Sequence, residues 1–180
     1  VTKDMRSHSK AINFGLIYGM SAFGLTRSTD LTLAEAEDFV KAYFRKFPGV
    51  KKYLDGIRRQ AAEIGYVETL LGRKRWLRDI TSNNATVRSF AERNAINAPI
   101  QGSAADMIKV AMINIHNEFS KMDIKSRMVL QVHDELVFDV YKPELDLIKP
   151  IIEKHMQNAL PLKVPVEVGM GTGTNWLEAH

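Results

Sequence analysis

The segment RMVLQVHDELVFDVY, residues 127–141, predicts two β-strands that meet at a charged bend. β-Branched and apolar residues dominate both arms, as is typical of strands. His133, Asp134 and Glu135 put three titratable side chains in a row at the bend. A tight turn explains one Asp there, because Asp is favoured in turns. Two neighbouring carboxylates on a rigid support also fit a site for Mg²⁺, which prefers oxygen ligands.

Helical patterns dominate the chain before this pair of strands. Thr32 and Glu35 form a capping-box pattern, and Gly65 is a typical glycine at the end of a helix. A proline also disfavours helical backbone in the residue before it. The pattern predicts helices over 3–18, 32–46, 50–64, 83–96, 101–122 (after a break at Pro99) and 143–160 (interrupted near Pro150), with a hairpin over 66–77 and a last strand over 163–170. The expected fold class is α+β, with a helical lobe and a small antiparallel sheet.

Composition limits the function classes further. The chain has 180 residues, 45% of them apolar, which suits one domain or two small lobes with a sizeable core. No apolar run reaches the roughly 18 residues of a membrane span, and the first residues do not resemble a signal peptide. The absence of cysteine excludes disulfides and thiolate zinc sites and fits a cytoplasmic location. A net charge of +4 is compatible with a nucleic-acid partner.

The first predicted helix carries a stripe with two chemical halves. Arg6, Lys10, Phe14 and Tyr18 are four residues apart, so each is offset by about 40° around the helix axis. Two cations are followed by two aromatic rings. A nucleotide has the same polarity, because its triphosphate attracts cations and its base stacks on an aromatic face. A partly buried helix whose cations reach out to solvent explains the same spacing.

A second regular spacing occurs in ERNAINAPIQGSAAD, residues 92–106. Arg93, Asn97 and Gln101 are again four apart and share a face if the chain stays roughly helical around Pro99. Amide donors suit the minor groove of DNA, where every base pair presents acceptors. Helix capping around Pro99 explains the amide side chains equally well.

Together these segments resemble family A DNA polymerases. KAINFGLIYGMSAFGL, with Arg6 before it, resembles the fingers-helix motif of that family. ERNAINAPIQGSAAD is a second match to the family. Val132-His133-Asp134-Glu135 resembles the family's third catalytic motif. The segment GYVETLLGRKRWLRDI is also similar to the fingers region, where its basic cluster would touch template phosphate. The resemblance covers essentially all 180 residues and implies fingers over 1–87 and the C-terminal part of the palm over 88–180.

The resemblance also implies roles for individual residues. On the first helix, Arg6 and Lys10 would contact the triphosphate of the incoming deoxynucleotide, with Lys10 also counted as catalytic. Phe14 would lie against the sugar and base of that nucleotide, and Tyr18 at the template base. In this family, Phe at the position of Phe14 goes with poor acceptance of dideoxynucleotides.

The other two motifs would contact DNA and metal. Asn97 and Gln101 would check base-pair geometry in the minor groove, with Arg93 near the template strand. At the bend, Asp134 would be the principal ligand of a two-Mg²⁺ site and Glu135 an auxiliary one, both catalytic, with His133 near the primer terminus.

One element of the family pattern is missing from the 180 residues. The family has a second essential aspartate, in a DYSxxE-type motif upstream of the fingers helix, and no such motif occurs here. The expected partners are therefore primer-template DNA, deoxynucleotides and the rest of a polymerase chain (upstream palm and thumb), and the chain is expected to be a piece that is inactive alone. The alternatives are an isolated nucleotide- or nucleic-acid-binding module, a piece of a single-subunit RNA polymerase and, more remotely, an HD-type phosphohydrolase.

Overall fold

The structure is a computed structural model that describes residues 2–179, with the side chains of residues 3–5, 7, 8 and 11 outside the description. Contacts divide the chain into two compact units, Val1–Gly102 and Ser103–His180. Each unit has a hydrophobic core of its own. The predicted boundary between fingers and palm after residue 87 concerns the family's subdomains and stays a prediction.

Four helices open the first unit, and local sequence signals explain their ends. Thr32 and Glu35 form the predicted capping box, in which each side chain accepts a hydrogen bond from the other residue's backbone N–H. Pro48 occupies the first turn of the fourth helix, where no partner for its missing N–H is needed. Gly65 ends that helix in the left-handed conformation, with φ of 79°. The helices are α1 (Lys3–Ile17), α2 (Ala22–Thr26), α3 (Leu33–Lys46) and α4 (Pro48–Ile64).

The predicted hairpin follows and contributes to the core of the first unit. Strands β1 (Tyr66–Glu68) and β2 (Lys74–Trp76) are antiparallel, with Tyr66 opposite Trp76. Val67 is 1% exposed and joins the core formed by Ala61, Leu77, Ile80, Ala91 and Ala95. The hairpin is therefore anchored to α4 and to the helix that follows it.

A single long helix, α5 (Ala85–Phe119), replaces the two predicted helices, so the predicted break at Pro99 is wrong. Asn84 caps its start, because the Asn84 Oδ1 accepts hydrogen bonds from the N–H groups of Thr86 and Val87. Proline removes one N–H donor from the helical ladder, but buried residues hold the helix on both sides of it. These buried residues are Ala91, Ala95, Ile96, Ala111 and Ile115.

The second unit contains the predicted strand pair. Strands β3 (Arg127–Val132) and β4 (Glu135–Asp139) are antiparallel, and a register shift between Met128 and Leu130 leaves Val129 as a bulge. A two-stranded ribbon is marginal alone and needs support from helices. The support comes from a core of Ile115, Ile148 and Ile152, against which Phe119, Ile124, Leu136, Phe138, Val140 and Met156 pack.

Two further expectations for the second unit differ from the structure. Pro150 does not interrupt the helix, since α6 (Leu145–Gln157) runs through it after a 3₁₀ turn, Lys142–Glu144, and buries Ile148 and Ile152 on either side of the proline. The predicted strand over 163–170 is also wrong, because no strand among residues 2–179 pairs with this segment. An extended segment without a ladder partner gains no sheet hydrogen bonds, and Val164 is 71% exposed. The last helix is α7 (Trp176–Ala179).

The α+β fold class is confirmed, with helices in both units and two small antiparallel sheets. None of the helices in the described part of the chain combines the length and apolarity that crossing a bilayer requires.

Candidate functional site

The predicted stripe lies on the surface of α1. The Nζ of Lys10 is 5.8 Å from the centroid of the Phe14 ring. The Phe14 and Tyr18 rings are stacked, with centroids 6.1 Å apart and planes 21° apart. Arg6 and Lys10 are exposed and Phe14 is 48% exposed, whereas Leu16 on another side of the helix is fully buried. The stripe therefore runs from two exposed cations through the exposed Phe14 ring to the partly buried Tyr18 ring.

The end of α1 fixes the position of Tyr18. Gly19 has φ of 81°, its N–H bonds the carbonyl of Leu16 at 3.1 Å, and the N–H of Met20 bonds the carbonyl of Gly15 at 2.8 Å. These two bonds define a Schellman motif with Gly19 at the left-handed position. Tyr18 immediately precedes that glycine and is still bonded to the helix, because its N–H donates to the carbonyl of Phe14 at 2.9 Å. The direction of the Tyr18 backbone is thus set by the glycine that follows it.

The Met20 side chain packs into space that two glycines leave open. A β-carbon on Gly15 or on Gly24 would lie 2.7 Å from a Met20 side-chain atom. Both glycines therefore permit the thioether side chain to lie between the end of α1 and the start of α2.

The second predicted group lies on α5. Because α5 is continuous, Arg93, Asn97 and Gln101 keep their four-residue spacing within one helix. The guanidinium of Arg93 lies 5.8 Å from the centroid of the Phe90 ring and donates to the Ser89 hydroxyl at 3.1 Å. Gln101 is exposed. The Asn97 Oδ1 is buried without a hydrogen-bond partner in the described part of the chain, so this acceptor is open to an additional donor.

Gly19 brings the end of α1 close to α5. A β-carbon on Gly19 would lie 3.0 Å from Cδ1 of Ile96 and 3.7 Å from Cγ of Arg93. Tyr18 and Arg93, predicted from separate motifs, therefore belong to one neighbourhood in the first unit.

Arg58 on α4 joins this neighbourhood, although the sequence patterns do not indicate it. Its Nη2 would lie 3.5 Å from a β-carbon on Gly19, and its Nη1 is 3.7 Å from the Asp55 carboxylate. Its Nε is buried and has no hydrogen-bond partner among the described residues. In the sequence Arg58 is one of several charged residues on an amphipathic helix, so its spacing carries no signal.

The third group is the turn between β3 and β4. Val132 pairs with Glu135, so His133 and Asp134 form a two-residue turn. His133 has φ of 52°, the only positive φ of a non-glycine residue in the part of the chain that the structure describes. Glycine is the usual residue at such a position, and strained backbone often lies at functional sites. The Gln131 side-chain amide donates to the His133 carbonyl and holds the turn.

The turn presents its two carboxylates differently. Asp134 is exposed at the tip, whereas Glu135 begins β4 and is half-buried. Successive strand residues point to opposite faces, so Glu135 lies on the face opposite Leu136, which packs on the core. Among the described residues, no group of three or more His, Asp and Glu side chains could hold a metal ion. Mg²⁺ is commonly bound by one or two carboxylates together with phosphates and water, so Asp134 and Glu135 fit part of such a site.

Comparison with known proteins gives the class of the molecule. The family model described as DNA polymerase family A matches residues 1–178. The chain therefore belongs to DNA polymerase family A. This membership favours the DNA enzymes over the single-subunit RNA polymerases. The HD-type phosphohydrolases are also disfavoured, because they carry the His–Asp pair on helices and His133 and Asp134 lie in a turn between strands.

Individual relatives carry the name DNA polymerase I. The protein of Lactococcus lactis subsp. lactis (strain IL1403) is 48% identical over 179 residues, which make up 99% of this chain and 20% of the relative. The protein of Geobacillus stearothermophilus is 47% identical with the same coverage. The chain thus spans about a fifth of the length of these relatives.

A solved structure gives a matching fold. It is the POL domain of Pol1 from M. smegmatis in complex with DNA primer-template and dNTP, which is 46% identical to this chain. The match has a TM-score of 0.96 and covers 99% of this chain and 32% of that chain.

Proposed function

We propose that this chain supplies the nucleotide-binding helix, a minor-groove contact and part of the metal site of a DNA-directed DNA polymerase. The reaction is the template-directed transfer of a deoxynucleotide to a primer 3′ end, as in DNA replication and repair. The observation that carries the proposal is the series of Lys10, Phe14 and Tyr18 along α1 and its end, with Lys10 and Phe14 exposed and Tyr18 partly buried, in a chain that belongs to family A. The mycobacterial POL domain, which binds primer-template DNA and dNTP, supports it.

On α1, the two exposed cations bind the triphosphate and the two rings bind the base region. Arg6 and Lys10 neutralise phosphate charge, and charge-assisted hydrogen bonds of this kind are about twice as strong as neutral ones. Phe14 presents half of its surface to solvent, so a sugar and base can lie against it. Tyr18, at the end of the stack, contacts the template base that pairs with the incoming nucleotide.

On α5, the amide side chains contact the DNA duplex. Gln101 and Asn97 donate to the acceptors that both kinds of base pair present in the minor groove, so they sense pair geometry without selecting a sequence. Arg93 binds the template strand.

At the turn, Asp134 is the main candidate ligand for Mg²⁺ and Glu135 an auxiliary one. When bound, Mg²⁺ supplies charge stabilisation at the triphosphate and lowers the pKa of the primer hydroxyl. Asp134 fits the main role because it is exposed at the tip of the two-residue turn, directly after His133 with its positive φ. His133 lies near the primer terminus.

Other parts of a polymerase chain complete the site in this proposal. The second metal-binding aspartate of the family has no counterpart in these 180 residues, so its carboxylate comes from the remaining four-fifths of a polymerase chain, together with the thumb. If the chain acts without those parts, it is a nucleotide- or nucleic-acid-binding module. That alternative predicts binding of nucleotide or DNA without incorporation of a nucleotide into the primer. A cytoplasmic location stays a prediction.

A chimera tests the proposal. In this chimera, the 180 residues of this chain replace the matching fifth of the Geobacillus stearothermophilus polymerase. Single-turnover incorporation of a deoxynucleotide is then measured on a primed template. We expect Asp134→Ala to reduce the rate by at least about 1,000-fold with DNA binding retained, since a metal ligand contributes several kcal/mol. Lys10→Ala should reduce incorporation by about 10- to 150-fold, the value of a hydrogen bond to a charged group. Asp139→Ala, at the exposed end of the same strand, is the matched control and should change little. An active Asp134→Ala chimera would refute the metal role.

A further inference from the structure

The tip of the hairpin between β1 and β2, residues 69–73, is a turn closed by its own hydrogen bonds. The N–H of Thr69 donates to the carbonyl of Arg73 at 3.0 Å, and the N–H of Gly72 donates to the carbonyl of Thr69 at 2.9 Å. The Thr69 hydroxyl accepts a hydrogen bond from the N–H of Arg73 at 3.2 Å. Gly72 has φ of 78°, which glycine adopts readily. Thr69 and Arg73 are therefore held in a defined position relative to each other.

Both of these residues contact α5 at Gly102. The Arg73 Nη2 donates to the carbonyl of Gly102 at 3.1 Å. The Thr69 methyl group packs beside the same residue, because a β-carbon on Gly102 would lie 2.5 Å from Cγ2 of Thr69. A carbonyl oxygen can accept two hydrogen bonds, so the Arg73 contact adds to the bonds within the helix. The hairpin tip thus holds α5 at one residue by a hydrogen bond and by close packing.

The contact lies beside two residues that weaken a helix. Pro99 has no N–H to donate within α5, and Gly102 has a low helix propensity. Gln101 lies between these two residues and is exposed. Because burial does not hold the Gln101 side chain, its direction depends on the local helical backbone. The hairpin tip supports that backbone at the very next residue.

We propose that Arg73 is a positioning residue for Gln101. Through Gly102, it keeps α5 in the helical geometry that directs the Gln101 amide toward the minor groove of the DNA. Arg73 acts here through the protein backbone and not through a contact of its own with DNA. The proposal rests on the proposed function, in which Gln101 senses the geometry of a base pair.

A double-mutant cycle in the Geobacillus stearothermophilus chimera tests the proposal. We expect Arg73→Ala to reduce single-turnover incorporation on a primed template roughly 3- to 10-fold, the effect of about one hydrogen bond. Because Arg73 acts through Gln101, adding Arg73→Ala to Gln101→Ala should reduce the rate by less than about a further twofold. Arg59→Ala removes an exposed arginine of α4 and is the matched control, which should leave the rate unchanged.

A second measurement separates positioning from a general loss of structure. Extension of a mismatched primer end is compared with extension of a matched end in the same variants. Arg73→Ala and Gln101→Ala should both lower the ratio of the matched rate to the mismatched rate, because a contact that senses pair geometry is weakened. A purely structural role would slow both reactions equally and leave this ratio unchanged.

Gly102→Ala tests the same contact from the side of α5. Its β-carbon would displace Thr69, so this variant should also lower the ratio of the matched rate to the mismatched rate. Thermal melting confirms that each variant folds, and Gly102→Ala decides the question if Arg73→Ala does not fold.

Three results would overturn the proposal. Losses that multiply in the double variant would show that Arg73 acts independently of Gln101. An unchanged rate or an unchanged ratio in Arg73→Ala would show that Arg73 does not position a residue of the site. An unchanged rate in Gln101→Ala would remove the minor-groove role of Gln101 itself. The first two results leave the proposed function intact, so the two proposals can fail separately.

Discussion

At the scale of the single residue, Gly19 is the position where backbone geometry and the candidate site are most closely linked. Its φ of 81° lies in a region that residues with a β-carbon rarely adopt, and a β-carbon there would lie 3.0 Å from Ile96. The strain is about 1–2 kcal/mol for an L-residue in this conformation, before any steric contact. The glycine therefore determines where Tyr18 stands at the end of α1.

We predict that Gly19→Ala lowers the free energy of unfolding by about 1–2 kcal/mol or more, measured by urea denaturation. Gly56→Ala is the matched control, because Gly56 lies within α4 and a β-carbon there meets no atom within 4 Å. That change should raise the free energy of unfolding by about 0.5–1 kcal/mol through helix propensity. Equal effects of the two substitutions would contradict the role of the left-handed turn.

At the scale of the element, one carboxylate ties the start of β3 to the turn after β4. Glu144 accepts hydrogen bonds from the Ser126 hydroxyl at 2.6 Å and from the N–H groups of Lys125 and Ser126 at 2.9–3.1 Å. The Ser126 hydroxyl also accepts from the N–H of Tyr141 at 3.0 Å. The Ser126 hydroxyl, followed by the Lys125 N–H, lowers the pKa of Glu144 below its ordinary value. Both ends of the ribbon that carries Asp134 are thereby joined.

The sign of this pKa shift sets a pH dependence. Because the pKa of Glu144 is lowered in the folded state, its ionised form stabilises the fold above the ordinary value of 4.5. The stabilisation is lost as the pH falls through the folded-state pKa. Glu144→Gln should therefore lower the free energy of unfolding at pH 7, and the difference from the unchanged chain should shrink below pH 4.5. Urea denaturation at several pH values measures this. The exposed Glu37→Gln is the control, and a difference for Glu144→Gln that is constant with pH would count against the prediction.

The sequence predicts elements well where the signal is local. The capping box at Thr32, the stop at Gly65 and the turn after Val132 each depend on a few neighbouring residues, and all three occur in the structure. The break at Pro99 does not occur, because the burial of Ala95 and Ile96 opposes the local preference of a proline. Arg58 could not be predicted as a site residue for a similar reason, because its proximity to Gly19 depends on packing between helices and not on local sequence.

The segment 163–170 shows why a strand pattern is not sufficient. Alternating residues form a strand only where a neighbouring strand pairs with their backbone groups. In the described part of the chain, no strand pairs with this segment. The bulge at Val129 is likewise invisible in the sequence, because register depends on both strands together.

At the scale of the whole molecule, the candidate residues are divided between the two compact units. The nucleotide-binding and minor-groove candidates lie in the first unit, up to Gln101, and the candidate metal ligands lie in the second. Each unit has a core of its own, so each can hold its own candidate residues in a defined local geometry. The described residues provide too few carboxylates for a two-metal site, since Asp134 and Glu135 form no larger metal-binding cluster with other described residues.

This shortage leads to a prediction for the 180-residue chain by itself. We expect it to bind primer-template DNA, with an affinity that falls as salt rises through counterion release, but to show no template-dependent primer extension. Two-metal nucleotidyl transfer needs carboxylates that flank both ions, and the turn between β3 and β4 provides one pair, Asp134 and Glu135. Gel-based primer extension with Mg²⁺ and all four deoxynucleotides measures the activity. The chimera with the Geobacillus stearothermophilus polymerase is the positive control, because it contains the same residues within a full-length polymerase. Extension by the 180 residues alone would show that the second aspartate is dispensable and that the assignment of the metal site is wrong.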